Sequence, residues 1–300
     1  MEDKHSRISF YNQISKNKWS SFFFILVIFI VLIVLITVIG FAFGGIDIFV
    51  ILILAIIISL IYIFSTYYNS HKIAVASVGA KPADKNTHRQ FYHSVEGLTL
   101  ASGMPMPKLY VMDDPNINAF ATGRDPEHAV ICVTTGTLEK LNKQELEGVL
   151  AHELSHIANY DIRFMAVATI MVGVIAIISQ IFLRSLFFRG RGDSKGNPIF
   201  LIIAIILAIL APLIVTLVQL AISRKREYVA DATAVKFMRT PTGLIGALKK
   251  INNSNHIEKK GSVSKALSPL FISDPFKKNI DGFFSTHPPL EKRIATLERM

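Results

Sequence analysis

The chain has 300 residues, 51 % hydrophobic and only 18 % charged, where soluble proteins carry roughly 25 % charged residues. That composition excludes an ordinary pair of soluble domains. The formal charge of +10 is local, with nine Lys/Arg against three Asp/Glu in residues 224–260, and no aromatic-interleaved basic stripe accompanies it to support a nucleic-acid partner.

The apolar residues fall in four blocks: 22–43, 48–68, 164–188 and 199–222. Each reaches the ~20 residues that a helix needs to cross a ~30 Å hydrocarbon core, and isolated apolar runs in lipid must be helical to satisfy their own backbone. Block one is too long for a signal-peptide core and ends in no small-residue cleavage site. For blocks three and four, which contain Gln180, Arg184, Pro212 and Gln219, a re-entrant hairpin is the alternative to full spans.

Lys4, Arg7, Lys16 and Lys18 precede block one, residues 44–47 carry no basic residue, and Lys72, Lys81, Lys85 and Arg89 follow block two. The positive-inside rule therefore predicts a cytoplasmic segment 1–21, a transmembrane hairpin 22–68 and a cytoplasmic part 69–163. A second hydrophobic hairpin, 164–222, and a second cytoplasmic part, 223–300, complete the expected organisation. Arg189, Arg191 and Lys195 run against that orientation, while Arg224, Lys225 and Arg226 favour it. A positive segment at a membrane exit suits anionic headgroups, which makes the bilayer the expected partner. The single cysteine, Cys132, excludes an intramolecular disulfide framework and fits a reducing compartment.

In the first polar region the pattern predicts a helix over 90–100 and strands over 108–112, 117–121 and 129–134. Asp114-Pro115 and Asp125-Pro126 mark the turns between the strands. A helix over 143–159 follows, with Asn142 as N-cap and Glu145 three residues on. The second polar region predicts helices over 223–238 and 289–300, with 252–281 as the candidate mobile loop. The fold class is α+β, mainly helical with a small sheet.

The 143–159 helix carries His152-Glu153-Leu154-Ser155-His156. Imidazoles at i and i+4 share one helical face and can reach one metal. Glu153 stands beside that face, placed to take a proton from a metal-activated water. Two imidazoles, a carboxylate and an open position describe catalytic zinc, so the expected cofactor is one Zn²⁺ per chain. Glu227, just after block four, is the candidate third ligand. Asp231, one turn further, is the candidate acceptor for the far nitrogen of a ligand histidine. A solvated acidic pair held by Arg224 and Arg226 is the alternative. Asn118, Ala119, Phe120 and Ala121 form a candidate edge strand to which an extended peptide can add through main-chain hydrogen bonds, an ordinary hairpin strand being the alternative.

HELSH at 152–156, EYVAD at 227–231 after two apolar blocks, NAFATG at 118–123 and STHPPLEKRI at 285–294 together resemble the HtpX family of membrane zinc proteases, which is related to the CAAX prenyl proteases. The resemblance implies a gluzincin-like cytoplasmic catalytic domain joined to four transmembrane helices, in a bacterial plasma membrane. It also implies a peptidase that degrades misfolded or surplus membrane proteins as part of a stress response. By motif match His152, His156 and Glu227 are the implied ligands, Glu153 the catalytic residue and Asp231 the outer partner. His287 is the implied oxyanion donor and Arg293 its support.

Overall fold

The computed structural model describes residues 10–43, 47–164, 166, 224–254, 271–272 and 288–300. Two long helices open it, α1 (Phe10–Phe43) and α2 (Ile48–Ser77), the second capped by the Asp47 side chain accepting from Phe49 N. Both contain a stretch long and apolar enough to cross a membrane, Asn17–Thr37 and Ile48–Ser77. Phe22, Phe23, Ile30, Ile53, Ile57 and Phe64 face outward from them, as suits a hydrocarbon solvent. Helix α2 does not stop where its apolar block ends at residue 68. It continues into the polar region, where Ala74 and Val78 at its end pack against the sheet. Apolar blocks three and four, apart from residues 164 and 166, lie outside the described residues.

The sheet contains β1 (Lys81–Pro82), β2 (Lys108–Met112), β3 (Ala119–Thr122) and β4 (Val130–Thr134) in the order β1-β2-β4-β3. Strand β2 runs parallel to β4, and the other two pairs are antiparallel. Alternation along the strands sends Leu109, Val111, Ala119, Ala121, Ile131 and Val133 to one face, packed with the helices of the main core. Met112, Phe120 and Cys132 go to the other face, against the end of α2. All five residues of the central β4 are buried, so Cys132 is an inert core thiol whose pKa is pushed up by burial and then by the nearby Glu153 charge.

Around the sheet lie α3 (Arg89–Ser102), α4 (Thr135–Lys140), α5 (Lys143–Ala158), α6 (Arg224–Met238), α7 (Thr242–Asn253) and α8 (Leu290–Leu297). Helix α5 is the hub, packed against α3, α6, α7 and β3. Its N-terminus carries the complete reciprocal cap: Glu145 N donates to Asn142 Oδ1 at 2.9 Å and Asn142 N to Glu145 Oε2 at 2.8 Å. Contact with α7 is backbone on backbone. A Cβ at Gly148 would collide with Gly243 and Leu244, and one at Gly243 with the Gln144 carbonyl. Sequence patterning does not reveal α4, α7 or the two-residue β1, and the expected loop over 252–281 starts two residues inside α7.

Candidate active site

Two helices supply the site. His152, Glu153 and His156 project from the second half of α5, and Glu227 and Asp231 stand one turn apart on α6. Ser155 Oγ donates to the Ala230 carbonyl at 2.9 Å, fixing α5 against α6 between the two motifs. The sequence separation of more than seventy residues is thereby closed.

His152 Nε2 and His156 Nε2 lie 3.2 Å apart. Each is 3.6 Å from one oxygen of Glu227, and all three side chains are buried. Ligands 2.0–2.2 Å from a tetrahedral zinc are themselves about 3.3–3.6 Å apart, so this spacing fits that ion. The outer nitrogens make the same point. His152 Nδ1 faces Asp231 Oδ1 at 3.0 Å, and His156 Nδ1 faces Asp161 Oδ2 at 3.1 Å. A carboxylate opposite Nδ1 places the proton there and leaves Nε2 as a lone pair. Two lone pairs and a carboxylate then converge on one point, an arrangement that only a cation or a proton relieves. Burial and the Arg293 charge push the His152 pKa down, yet hydrogen bonds to Asp231 and Glu227 outweigh them and raise it to about 9.

Glu153 is 3 % exposed. Burial raises its carboxyl pKa, the charges of His152 and His156 oppose that, and Glu227 adds to it. Arg293 is fully buried and held by carboxylates: Nε and Nη2 donate to Asp231 at 2.9 and 2.6 Å, and Nη1 lies 3.1 Å from Glu227 Oε2. Burial alone would raise the Asp231 pKa, but Arg293 and the His152 hydrogen bond hold it down at about 2. His287, the expected oxyanion donor, lies outside the described residues.

Strand β3 is an outer strand of the sheet. The carbonyl of Asn118, the residue just before it, accepts from Thr134 N on the inner side, so Ala119 O points outward. That oxygen accepts from Ile272 N at 3.0 Å. Phe271 packs edge-on against Phe120, with ring centroids 5.2 Å apart, on the face opposite Ala119 and Ala121, which lie in the main core; Asn118, Ala119, Phe120 and Ala121 are all buried.

Residues 85–300 match Peptidase family M48. The chain belongs to this family. It is 47 % identical to a protease HtpX homolog of Caldanaerobacter subterraneus subsp. tengcongensis, over 83 % of this chain and 84 % of that one. With the homolog of Dictyoglomus turgidum it shares 42 % identity over 97 % and 95 % of the two chains. With that of Streptococcus uberis it shares 40 % over 97 % and 99 %. Among solved structures, S. mikatae Ste24p superimposes with a TM-score of 0.49 at 22 % identity, covering 89 % of this chain and 61 % of that one. M48 peptidases are zinc metalloproteases, and this member is a membrane metalloprotease of the HtpX type.

Two features of this site are not legible in the sequence: the partner of His156, and the contact made by Arg293, which the resemblance names only as a support for His287. Asp161 serves His156 as Asp231 serves His152, but it lies beyond the helix end, where only the turn geometry reveals its direction. Arg293 carries no local signal of its contact with Asp231, 62 residues away.

Proposed function

We propose that this protease binds one zinc ion through His152, His156 and Glu227 and hydrolyses peptide bonds of misfolded or surplus membrane proteins on the cytoplasmic side of a bacterial plasma membrane. The observation that carries this is that one ring nitrogen each of the buried His152 and His156 and a carboxylate oxygen of Glu227 all lie within 4.8 Å of one another. A zinc ion held there by His152, His156 and Glu227 would supply a Lewis acid for the scissile carbonyl and would lower the pKa of the attacking water. Glu153 takes the proton from that water and passes it to the leaving amine, a task suited to a carboxyl whose pKa burial has raised. Asp231 and Asp161 hold the two imidazoles in the Nδ1–H tautomer, and Arg293 fixes Asp231 and Glu227. His287 is assigned the oxyanion by its place before Pro288-Pro289.

Substrate enters as an extended strand along β3, where Ala119 O is the outward acceptor, and Ile272 leaves that oxygen when it does. Residues 22–68 and 164–222 form four spans, with 1–21, 69–163 and 223–300 in the cytoplasm. Detergent-purified enzyme incubated with a membrane-protein substrate, with and without a zinc chelator, tests the reading. Cleavage that stops on chelation and returns with zinc, at one zinc per chain, is expected; cleavage indifferent to chelation refutes it.

A further inference from the structure

Helix α5 ends two residues after His156 in a turn of the Schellman type. Asp161 N donates to the His156 carbonyl at 2.9 Å and Tyr160 N to the Ile157 carbonyl at 3.1 Å. The residue at the left-handed position is Tyr160, with φ of 59°, where glycine is usual and a bulky side chain is disfavoured. Contacts outside the turn must hold it.

Those contacts come from the foot of the first apolar helix. Asn17 Nδ2 donates to the Asn159 carbonyl at 2.9 Å and to Asp161 Oδ1 at 2.8 Å. Both amide hydrogens of Asn17 are thereby used. Asn17, Asn159 and Asp161 are all buried, which makes these bonds costly to lose. The next residue, Lys18, places its ammonium 4.3 Å from the centre of the Tyr160 ring. Asp161 divides its oxygens, Oδ1 to Asn17 and Oδ2 to His156 Nδ1.

We propose that Asn17 is a positioning residue of the metal site, acting through Asp161 on the orientation and tautomer of His156. The inference rests on His156 being a metal ligand. The two imidazoles then have different supports. His152 is held by Asp231 and Arg293, both within the catalytic part, whereas His156 is held by Asp161 and a residue that begins the membrane-crossing stretch Asn17–Thr37. A displacement of α1 in the bilayer reaches the metal site in two hydrogen bonds.

The test uses the full-length protein in detergent. It measures zinc affinity by chelator competition, the visible spectrum of the cobalt-loaded form, and melting of the metal-free form. Asp161→Ala is expected to weaken zinc binding about 10–100-fold, and Asn17→Ala about two- to tenfold, the loss of a hydrogen bond. The cobalt spectrum shifts in both. Asn17→Ala added to Asp161→Ala should weaken zinc no further, because one path carries both effects. Should Asn17→Ala fail to fold, Asn17→Ser, which keeps one donor, carries the same cycle. Unchanged affinity and spectrum in folded Asn17 variants, or losses that add with Asp161→Ala, overturn the proposal. His156→Ala is the separate check: full zinc retention there refutes the ligand reading itself, while its loss alongside indifferent Asn17 variants refutes only the role of Asn17.

Discussion

Arg293 and Asp231 form a bidentate pair, 2.9 and 2.6 Å, in which the guanidinium is fully buried and the carboxylate 1 % exposed. Removing one partner of a buried pair strands the other charge, at a cost of about 3–5 kcal/mol, and lysine cannot reproduce the planar fork. Arg293→Lys should therefore lower the melting temperature and weaken zinc binding together, both measurable on one preparation. The pair also sets an acid limit. The Asp231 carboxyl has a folded pKa of about 2, lowered from 3.8. Its contribution is complete above pH 4 and is lost as pH falls through 2. Metal-free protein carrying Asp231→Asn should lack that part of the acid sensitivity in a pH series of melts.

Glu153→Gln should keep zinc at full stoichiometry and abolish hydrolysis, because Glu153 is assigned the proton and not the metal. A second readout separates this from a general disturbance. Burial raises the Glu153 pKa from 4.5, so its ionised form opposes folding: the penalty is full above the folded pKa, shrinks as pH falls through it and is gone below the unfolded value. Metal-free Glu153→Gln should therefore melt no lower than the parent at pH 7. Loss of zinc from this variant would mean that the ligand assignment is wrong.

The two acidic residues of α6 should separate cleanly. Glu227→Ala removes a donor from the convergence point, and Asp231→Ala only an outer partner, so the second should weaken zinc about 10–100-fold and the first more. Chelator competition on both variants decides between them. The reverse order would exchange their roles.

The legible parts of this molecule are those written locally. The Asn142/Glu145 cap, the 108–112 strand and the i,i+4 pairs of α5 and α6 each follow from spacing along a short stretch, and the structure has them. Helix α7 was not legible because Gly243 and Gly246 weaken its helix propensity. Gly243 is there for a close crossing with α5, which is a tertiary reason. Asp161 and Asn17 illustrate the same limit more sharply. Their residues are 144 positions apart, and no periodicity records a contact made by one strained turn.

Ile272→Pro removes the N–H that Ala119 O accepts while keeping an apolar side chain beside β3. If substrate adds to that edge, the variant should lower KM for an unfolded polypeptide up to about fivefold, the worth of one hydrogen bond, with kcat little changed. Steady-state kinetics on a quenched fluorescent peptide measure both. A raised KM with an unaltered melting curve would mean that the segment at 271–272 helps to bind substrate rather than occupying its place.

The site's depth fixes where cutting should occur. His156 reaches Asp161, and Asp161 reaches Asn17, the first residue of an apolar stretch of 21 residues. The face of α5 that carries His152 and His156 is therefore two side-chain hydrogen bonds from the start of a stretch long and apolar enough to cross a membrane, which on the proposed topology sets it close to the bilayer surface. A substrate strand must offer free backbone N–H and C=O groups to β3, and a segment still helical in lipid has none to offer, since unwinding there leaves them unsatisfied. Cleavage should accordingly fall in cytoplasmic loops and unfolded stretches adjoining spans. Mass-spectrometric mapping of the products of a multispanning substrate in proteoliposomes tests this. Cuts clustered at the bilayer midplane would contradict the depth, and cuts confined to loops on the outer face would contradict the orientation.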